Sequence, residues 1–279
     1  MTYSTGVVDT PHGRIAYREK GSGPPALFIH GVFLNGGLWT EVIDRLSDLR
    51  RCIAIDLLCH GSTETALGAD VSFEGNAAML DEFSDRLALG PVDLVANDSG
   101  GGIAQILAAR HPERLRTLTL TNCDVHDNWP PAAFQAMHDL VAQGGIAELL
   151  KRMIEDLDLT RQAFSVAYEH PERISDETLR GYLEPLVRSP EATALLERWF
   201  ASMDCAQTVA VEPMLRHLNV PTLIVWGTDD IFFDKKWAGW LHKTIPGAVG
   251  IVELDGARLF FPQERPDELA DAIRGLWVS

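Results

Sequence analysis

An aspartate stands between a predicted strand and a predicted helix in the middle of the chain. Residues 92–96 form a short apolar run typical of a buried strand, and residues 103–109 have a helical pattern. Asp98 lies between them in the spacing small-x-Asp-x-Gly, and residues 100–102 are all glycine. This spacing is typical of a nucleophile elbow, a strained strand–turn–helix connection that presents a reactive side chain. A carboxylate there can attack carbon, and the positive end of the helix dipole favours its ionised form.

The same aspartate has a simpler interpretation as a helix N-cap, a position that Asp fills well. The spacing alone favours this simpler role. Motifs at the ends of the other predicted strands favour the catalytic role instead.

One of those motifs follows a predicted central strand early in the chain. The apolar run 26–29 predicts a central strand, and His30, Gly31 and Val32 follow it. A glycine at this point lets the backbone turn sharply and leaves N–H groups free, so Val32 and Ser99 are the predicted oxyanion-hole donors. We interpret His30 as a packed, hydrogen-bonded side chain that supports this loop.

Further motifs follow later predicted strands. The run 52–55 leads into a loop in which Asp56 and His60 are predicted to brace a turn at Gly61. The run 222–226 ends in Gly-Thr-Asp-Asp, with Asp230 as its last residue, and the run 251–254 leads to Arg258 and Leu259. One hypothesis is that Asp230 pairs with Arg258 as a structural charge.

Strand and helix patterns alternate along much of the chain, which predicts an α/β protein with a mostly parallel twisted sheet and helices on both faces. Strand patterns are missing from residues 128–217, where helical patterns follow Pro130 and Pro131. The sequence therefore predicts a core formed by residues 1–127 and 218–279, with an inserted helical cap over residues 128–217. Tyr168 and Tyr182 in the cap are weak candidates for hydrogen bonding to a leaving oxygen, because the hydroxyl of a buried Tyr usually finds a hydrogen-bond partner within the protein.

Composition restricts the possible partners. The 279 residues are 46% hydrophobic and carry 24 Lys and Arg against 40 Asp and Glu, a formal net charge of −16. Such a surface repels nucleic acid and anionic membranes, and no apolar run has membrane-spanning length. The four cysteines have no metal-ligand spacing, and the polar first six residues lack a signal-peptide pattern. We expect a cytoplasmic protein with reduced thiols, no metal and no organic cofactor; the sequence leaves its oligomeric state open.

In this order the motifs resemble the α/β-hydrolase superfamily over nearly the whole chain. His30-Gly31 resembles the oxyanion-hole loop of that family, Asp98 matches the nucleophile, Asp230 matches the acid, and residues 128–217 match the cap. An aspartate nucleophile resembles the haloalkane dehalogenase and epoxide hydrolase branch, whose carboxylate forms an alkyl ester with substrate. With a reference pKa of about 3.9, such a carboxylate needs no base to ionise it at pH 7.

Three positions depart from the resemblance. Ser99 stands where dehalogenases usually carry Trp, and Val32 stands where they carry a halide-binding Asn. Leu259 occupies the place of the catalytic His, and no histidine follows His242. Arg258, one residue away, cannot act as a base at neutral pH.

The missing histidine leaves three hypotheses. Another base substitutes, with His126 first and His138 second in order of preference. Alternatively, the enzyme is an isomerase, lyase or cyclase that needs no ester hydrolysis, or the protein binds a ligand without catalysis. We favour a hydrolase-like enzyme that attacks a small hydrophobic epoxide, alkyl halide or ester through Asp98, with Asp230 and His126 as partners.

Overall fold

A nine-stranded sheet forms the centre of the protein. The computed structural model describes residues 2–278, and its strands are β1 (Ser4–Thr10), β2 (Gly13–Lys20), β3 (Pro25–Ile29), β4 (Arg51–Ile55), β5 (Glu64–Thr65), β6 (Val92–Asp98), β7 (Leu115–Cys123), β8 (Thr222–Gly227) and β9 (Ala248–Leu254). The strands lie in the order β1-β2-β4-β3-β6-β7-β8-β9, and β5 pairs with β2. All pairings from β4 to β9 are parallel, while β2 pairs antiparallel with β1, β4 and β5.

Helices of the core connect these strands. They are α1 (Thr40–Leu46), α2 (Phe73–Arg86), α3 (Ser99–Arg110), α11 (Lys236–Thr244), α12 (Phe261–Glu264) and α13 (Pro266–Val278). Between β7 and β8 the chain forms α4 (Gln135–Ala142), α5 (Ile146–Glu155), α6 (Leu157–Phe164), α7 (Asp176–Leu183), α8 (Pro190–Ala201), α9 (Ala206–Ala210) and α10 (Glu212–Leu215). The described residues contain no helix long and apolar enough to cross a membrane.

The strand order reverses between β3 and β6, which pair in parallel at the centre of the sheet. In open α/β sheets, ligands bind beyond the carboxyl ends of the strands at such a switch point. Asp98 ends β6, and the loop that starts at His30 follows β3. The topology therefore places the two predicted catalytic motifs side by side.

The central strands are covered on both faces. Every residue of β6 is buried, and all but one residue of β7 are buried. Strands covered on both faces need side chains that tolerate burial at every position, which is why they appear as continuous apolar runs rather than alternating ones. The predicted mostly parallel α/β architecture is confirmed by this sheet.

The helical segment between β7 and β8 differs in detail from its predicted pattern. The sequence predicts a helix over residues 161–169, whereas α6 begins four residues earlier, at Leu157. The side chain of Asp156 accepts hydrogen bonds from the N–H groups of Asp158 and Leu159, and this cap fixes the start. The cap boundaries at residues 128 and 217 stay a prediction.

A buried charge cluster fixes the amino end of β6. Asp93 is fully buried and accepts hydrogen bonds from Arg50 Nε at 2.6 Å and Arg116 Nη1 at 2.6 Å. Thr117 Oγ1 on the neighbouring strand donates to its other oxygen at 2.8 Å. The cluster joins β6 to β7 at the end of the sheet remote from Asp98.

We expect Asp93→Ala to lower the free energy of unfolding by about 2–4 kcal/mol, because it leaves two guanidinium groups without their carboxylate. Chemical denaturation measures the change. Asp48→Ala, which breaks an exposed pair with Arg274, is the matched control and should cost about 1 kcal/mol or less. Equal losses in the two variants would show that the buried cluster has no special role.

Candidate active site

Asp98 occupies a strained turn between β6 and α3. Its backbone angles are φ 55° and ψ −132°, in a region that few residues other than glycine adopt. Strain of this kind costs about 1–3 kcal/mol and persists only where the surrounding structure enforces it. The side chain is 5% exposed. The turn therefore has the conformation expected of a nucleophile elbow.

The Asp98 carboxylate is held by backbone N–H groups from two loops. Val32 N donates to Asp98 Oδ2 at 3.1 Å, and the N–H of Ser99 donates to the same carboxylate. Asp98 occupies the N-cap position of α3, but its side chain makes no capping hydrogen bond there. The two predicted oxyanion-hole residues thus lie together at Asp98.

This close approach depends on glycine. A Cβ at Gly31 would lie 2.1 Å from Asp98 Oδ2, and a Cβ at Gly100 would lie 2.4 Å from the carbonyl oxygen of His30. Both distances are far shorter than a real carbon contact. Glycine at 31 and 100 therefore lets the β3 loop contact the elbow.

Asp98 lies on the wall of a cavity of about 350 Å³. Its floor comes from the core and includes Val32, Ser99 and Asp124, while residues 129–203 form the opposite wall. Apolar side chains dominate that wall, among them Trp129, Phe134, Met137, Leu150, Met153 and Phe164. Among residues 2–278, the hydroxyl and carboxyl groups on the wall are those of Asp98, Ser99 and Asp124. Such a cavity suits an apolar molecule that reacts at one polar end.

Burial changes the protonation of Asp98. Loss of solvent, reinforced by the negative charge of Asp230, raises its pKa to about 7, although the N–H groups of Val32 and Ser99 oppose the rise. The sequence suggested a carboxylate fully ionised at pH 7, and this expectation is wrong. Desolvation outweighs the helix dipole, which acts only over the first turn.

Asp230 lies near Asp98 but is fully hydrogen-bonded by its own surroundings. Asn122 Nδ2 donates to Oδ2 at 2.7 Å, and the N–H groups of Phe232 and Phe233 donate to Oδ1 at 2.7 and 3.3 Å. Burial raises its pKa to about 6. Asp230 does not line the cavity, although its charge acts on Asp98.

Arg258 is not the partner of Asp230, contrary to one of our sequence hypotheses. Its Nε lies 3.3 Å from Asp229 Oδ2, and its Nη1 donates to the carbonyl oxygens of Ser165 and Tyr168 at 2.5 and 3.1 Å. The guanidinium therefore joins the β9 loop to the helical segment.

Leu259 lines the cavity together with Asp98 and is 4% exposed. Its backbone oxygen accepts a hydrogen bond from Asn97 Nδ2 at 3.1 Å, so the residue next to Asp98 anchors the β9 loop. The apolar side chain thus stands at the position that the resemblance assigns to histidine. Among the residues that the structure describes, no histidine lines the cavity.

The structure does not bring His126 to Asp98. His126 Nε2 lies 2.9 Å from Glu212 Oε2, and its ring packs against Trp240 with centroids 5.0 Å apart. These contacts hold the imidazole against α10 and α11, outside the cavity wall. His138 does not line the cavity either, although its neighbour Met137 does.

His30 and His60 are supporting side chains, in agreement with our interpretation. His30 Nδ1 donates to Gly31 O at 2.7 Å, and its Nε2 accepts from the N–H of Leu57 at 3.0 Å. Burial lowers the pKa of His30 to about 4 and that of His60 to about 3, so both rings are neutral at pH 7. Asp56 accepts from the N–H groups of Gly36 and Ser62, each at 2.8 Å, and fixes the loop after β4.

Tyr168 and Tyr182 point their hydroxyls at one acceptor. Both donate to Gln263 Oε1, at 2.8 and 3.1 Å. Neither residue lines the cavity. These tyrosines join the helical segment to α12 and are not placed to protonate a leaving oxygen.

Asp124 is the site residue that sequence reasoning missed. It follows β7 directly, is 1% exposed and lines the cavity with Asp98 and Ser99. Burial, reinforced by the negative charge of Asp98, raises its pKa well above the usual range. The sequence did contain a signal for Asp124, because this residue directly follows a predicted parallel strand. Asp98 and Asp230 were identified from their positions at the ends of such strands.

The raised pKa of Asp98 predicts a stability change of defined sign. The folded protein binds this proton more tightly than the unfolded chain, whose Asp pKa is about 3.9. The stability contributed by Asp98 is therefore complete below that pKa and is lost as the pH rises through about 7. At pH 8 we expect Asp98→Asn to be more stable than the natural sequence by roughly 1–3 kcal/mol, with a much smaller difference at pH 4.

Urea denaturation at the two pH values measures this difference. Glu177→Gln, which neutralises an exposed carboxylate on α7, is the control and should show no comparable pH dependence. If Asp98→Asn is equally stable or less stable than the natural sequence at pH 8, the raised pKa of Asp98 would be contradicted.

Known proteins agree with this fold. A family model described as alpha/beta hydrolase fold matches residues 24–144. Haloalkane dehalogenase 2 of Mycobacterium tuberculosis is 29% identical over 279 aligned residues, covering 95% of this chain and 92% of the relative. The haloalkane dehalogenase of Agrobacterium fabrum is 27% identical, covering 94% of this chain and 87% of the relative.

A solved structure shows the same fold over the whole chain. Epoxide hydrolase CorEH superposes with a TM-score of 0.81 at 19% identity, covering 99% of both chains. The chain is thus an enzyme with the α/β-hydrolase fold, similar over nearly its whole length to haloalkane dehalogenases.

Proposed function

We propose that this enzyme hydrolyses a small apolar electrophile by covalent catalysis at Asp98. The observation that carries the proposal is the position of the Asp98 carboxylate, buried on the floor of an apolar cavity of about 350 Å³. Apolar side chains form most of the surrounding wall, so an apolar substrate would meet the Asp98 carboxylate at the polar end of the cavity. A carboxylate so placed displaces a leaving group at saturated carbon and forms an alkyl ester.

The backbone donors support the second half of the reaction. When water attacks the ester carbon of Asp98, negative charge develops on the oxygen that Val32 and Ser99 already contact. Preorganised N–H groups at that oxygen stabilise the tetrahedral intermediate, and one such donor is worth roughly 10²–10³ in rate. Val32 and Ser99 therefore form the oxyanion hole of our proposal.

Leu259 limits the deacylation step. A side chain without a titratable group stands where the resemblance places the base, and His126 pairs with Glu212 outside the cavity. A general base contributes roughly 10²–10⁴ to such a step. Slow deacylation would let an alkyl ester accumulate on Asp98, and the test below separates that outcome from turnover and from ligand binding without catalysis.

Intact mass spectrometry after incubation with epoxides, alkyl halides and activated esters tests the nucleophile. We expect either an adduct that maps to Asp98 or steady product formation, because the cavity presents that carboxylate to the substrate. Asp98→Asn should abolish both, reducing the rate at least 10³-fold.

Val166→Ala, which trims the cavity wall without touching the floor, is the matched control and should keep the reaction. Tight ligand binding that survives Asp98→Asn, with neither adduct nor product in the natural sequence, would identify a binding protein instead.

Leu259→His tests the alignment of the missing base. An imidazole introduced at this place on the cavity wall should raise the rate of ester hydrolysis at least tenfold, since base catalysis at such a step supplies roughly 10²–10⁴. Single-turnover decay of the Asp98 adduct measures it. Leu183→His introduces the same group from the helical segment and should not accelerate the decay. Unchanged decay in a folded Leu259→His variant would show that position 259 does not face the ester.

A further inference from the structure

Asp124 lines the cavity, and one of its carboxyl oxygens is buried without a hydrogen-bond partner. The residue follows β7, its backbone N–H donates to the carbonyl oxygen of Asp98 at 3.3 Å, and Gln105 Nε2 donates to its backbone oxygen at 2.8 Å. The backbone is therefore fixed on two sides. In contrast, Oδ1 of the side chain has no hydrogen-bond partner and is inaccessible from outside.

The two carboxyl groups on the cavity floor have different surroundings. Asp98 accepts N–H bonds from Val32 and Ser99, which stabilise negative charge. Asp124 accepts only the hydroxyl of Ser99 among the described residues, and one of its oxygens is left unsatisfied. An unsatisfied buried polar atom costs about 1–3 kcal/mol, and the cost is far larger for a full charge.

One proton shared between these groups therefore resides on Asp124. The charges that act on Asp124 are Asp98 at the end of β6 and Asp230 in the loop after β8, and both favour its neutral form. Burial raises its pKa well above the usual range, in the same direction. Two neighbouring buried carboxyls cannot both ionise readily, so one acts as nucleophile while its neighbour stays an acid.

We propose that Asp124 is the acid and base of this site, the proton carrier that the chain uses in place of a histidine. The proposal rests on the proposed function, since it assumes that Asp98 forms an ester. The Asp124 carboxyl group, which lines the cavity beside Asp98, gives its proton to the departing oxygen and later accepts one from the water.

The proton transfers balance for a strained cyclic ether. Asp98 attacks a ring carbon, the carbon–oxygen bond breaks, and Asp124 gives its proton to the departing oxygen. The Asp124 carboxylate then takes a proton from water as the hydroxide attacks the ester carbon. Collapse of the intermediate expels the diol oxygen, which takes the proton of the Asp98 carboxyl, so both residues return to their starting states.

The same chemistry discriminates against halides. A departing halide needs no proton, so Asp124 is still protonated when the alkyl ester has formed and cannot accept a proton from water. We therefore expect epoxides to be turned over and alkyl halides to stop at the ester near neutral pH. The substrate class that fits this floor is a small apolar epoxide.

The test uses 1,2-epoxyhexane and 1-bromohexane, which share one carbon chain, with the natural sequence, Asp124→Asn and Thr119→Val. Asp124→Asn should lower kcat for the epoxide roughly 10²–10⁴-fold and leave the single alkylation by the bromide within about fivefold. Thr119→Val is the matched control, because Thr119 is also a buried β7 residue with an unpartnered hydroxyl, away from the cavity. It should keep kcat within about threefold.

Three results separate the possible failures. Epoxide turnover that survives in a folded Asp124→Asn overturns the role of Asp124 and leaves Asp98 as nucleophile. Absence of both adduct and turnover in the natural sequence overturns the proposed function itself. If Asp124→Asn does not fold, pH profiles of the natural sequence provide the test. We expect kcat for the epoxide to fall at high pH, while the rate of alkylation by the bromide does not. Parallel pH profiles for the two substrates would contradict the proposal.

Discussion

The site depends on the contact between the Asp98 carboxylate and the backbone N–H of Val32. This bond joins the loop after β3 to the turn after β6, at the point where the strand order of the sheet reverses. It forms only because glycine at 31 lets the carboxylate approach the backbone and because Asp98 accepts a strained conformation. The backbone strain, the N–H donors and the buried carboxylate therefore belong to one local arrangement, and all three depend on this turn.

Burial sets the electrostatics of that arrangement. Three carboxyl groups, those of Asp98, Asp124 and Asp230, lie close enough to act on one another, and the nearest guanidinium in the β9 loop, that of Arg258, is engaged with Asp229. Hydrogen bonds, rather than a paired cation, therefore stabilise negative charge on these carboxyl groups. Asp230 has three donors and Asp98 has two, whereas Asp124 has the hydroxyl of Ser99. The number of donors decides which group keeps the proton.

The sequence was sufficient for the fold and for the residues that short-range patterns define. The strands, the elbow and the Val32 loop each follow from a few consecutive residues, and His30 follows from the apolar strand before it. His126 and Asp124 show the limit of that reasoning. Both follow β7 closely, but Glu212 and Trp240, more than eighty residues later in the chain, hold the imidazole away from the cavity. Such pairings belong to the tertiary structure and leave no local pattern.

In our proposal, Leu259 accounts for a proton carrier on the floor of the cavity. The β9 loop is anchored through the backbone oxygen of Leu259 to Asn97, a bond that does not depend on the side chain at 259. The loop can therefore keep its place with leucine at position 259. An apolar side chain there removes a potential cation from the site and excludes water from Asp98. Both effects raise the free energy of a second negative charge beside Asp98. Leucine at position 259 therefore favours the neutral form of Asp124.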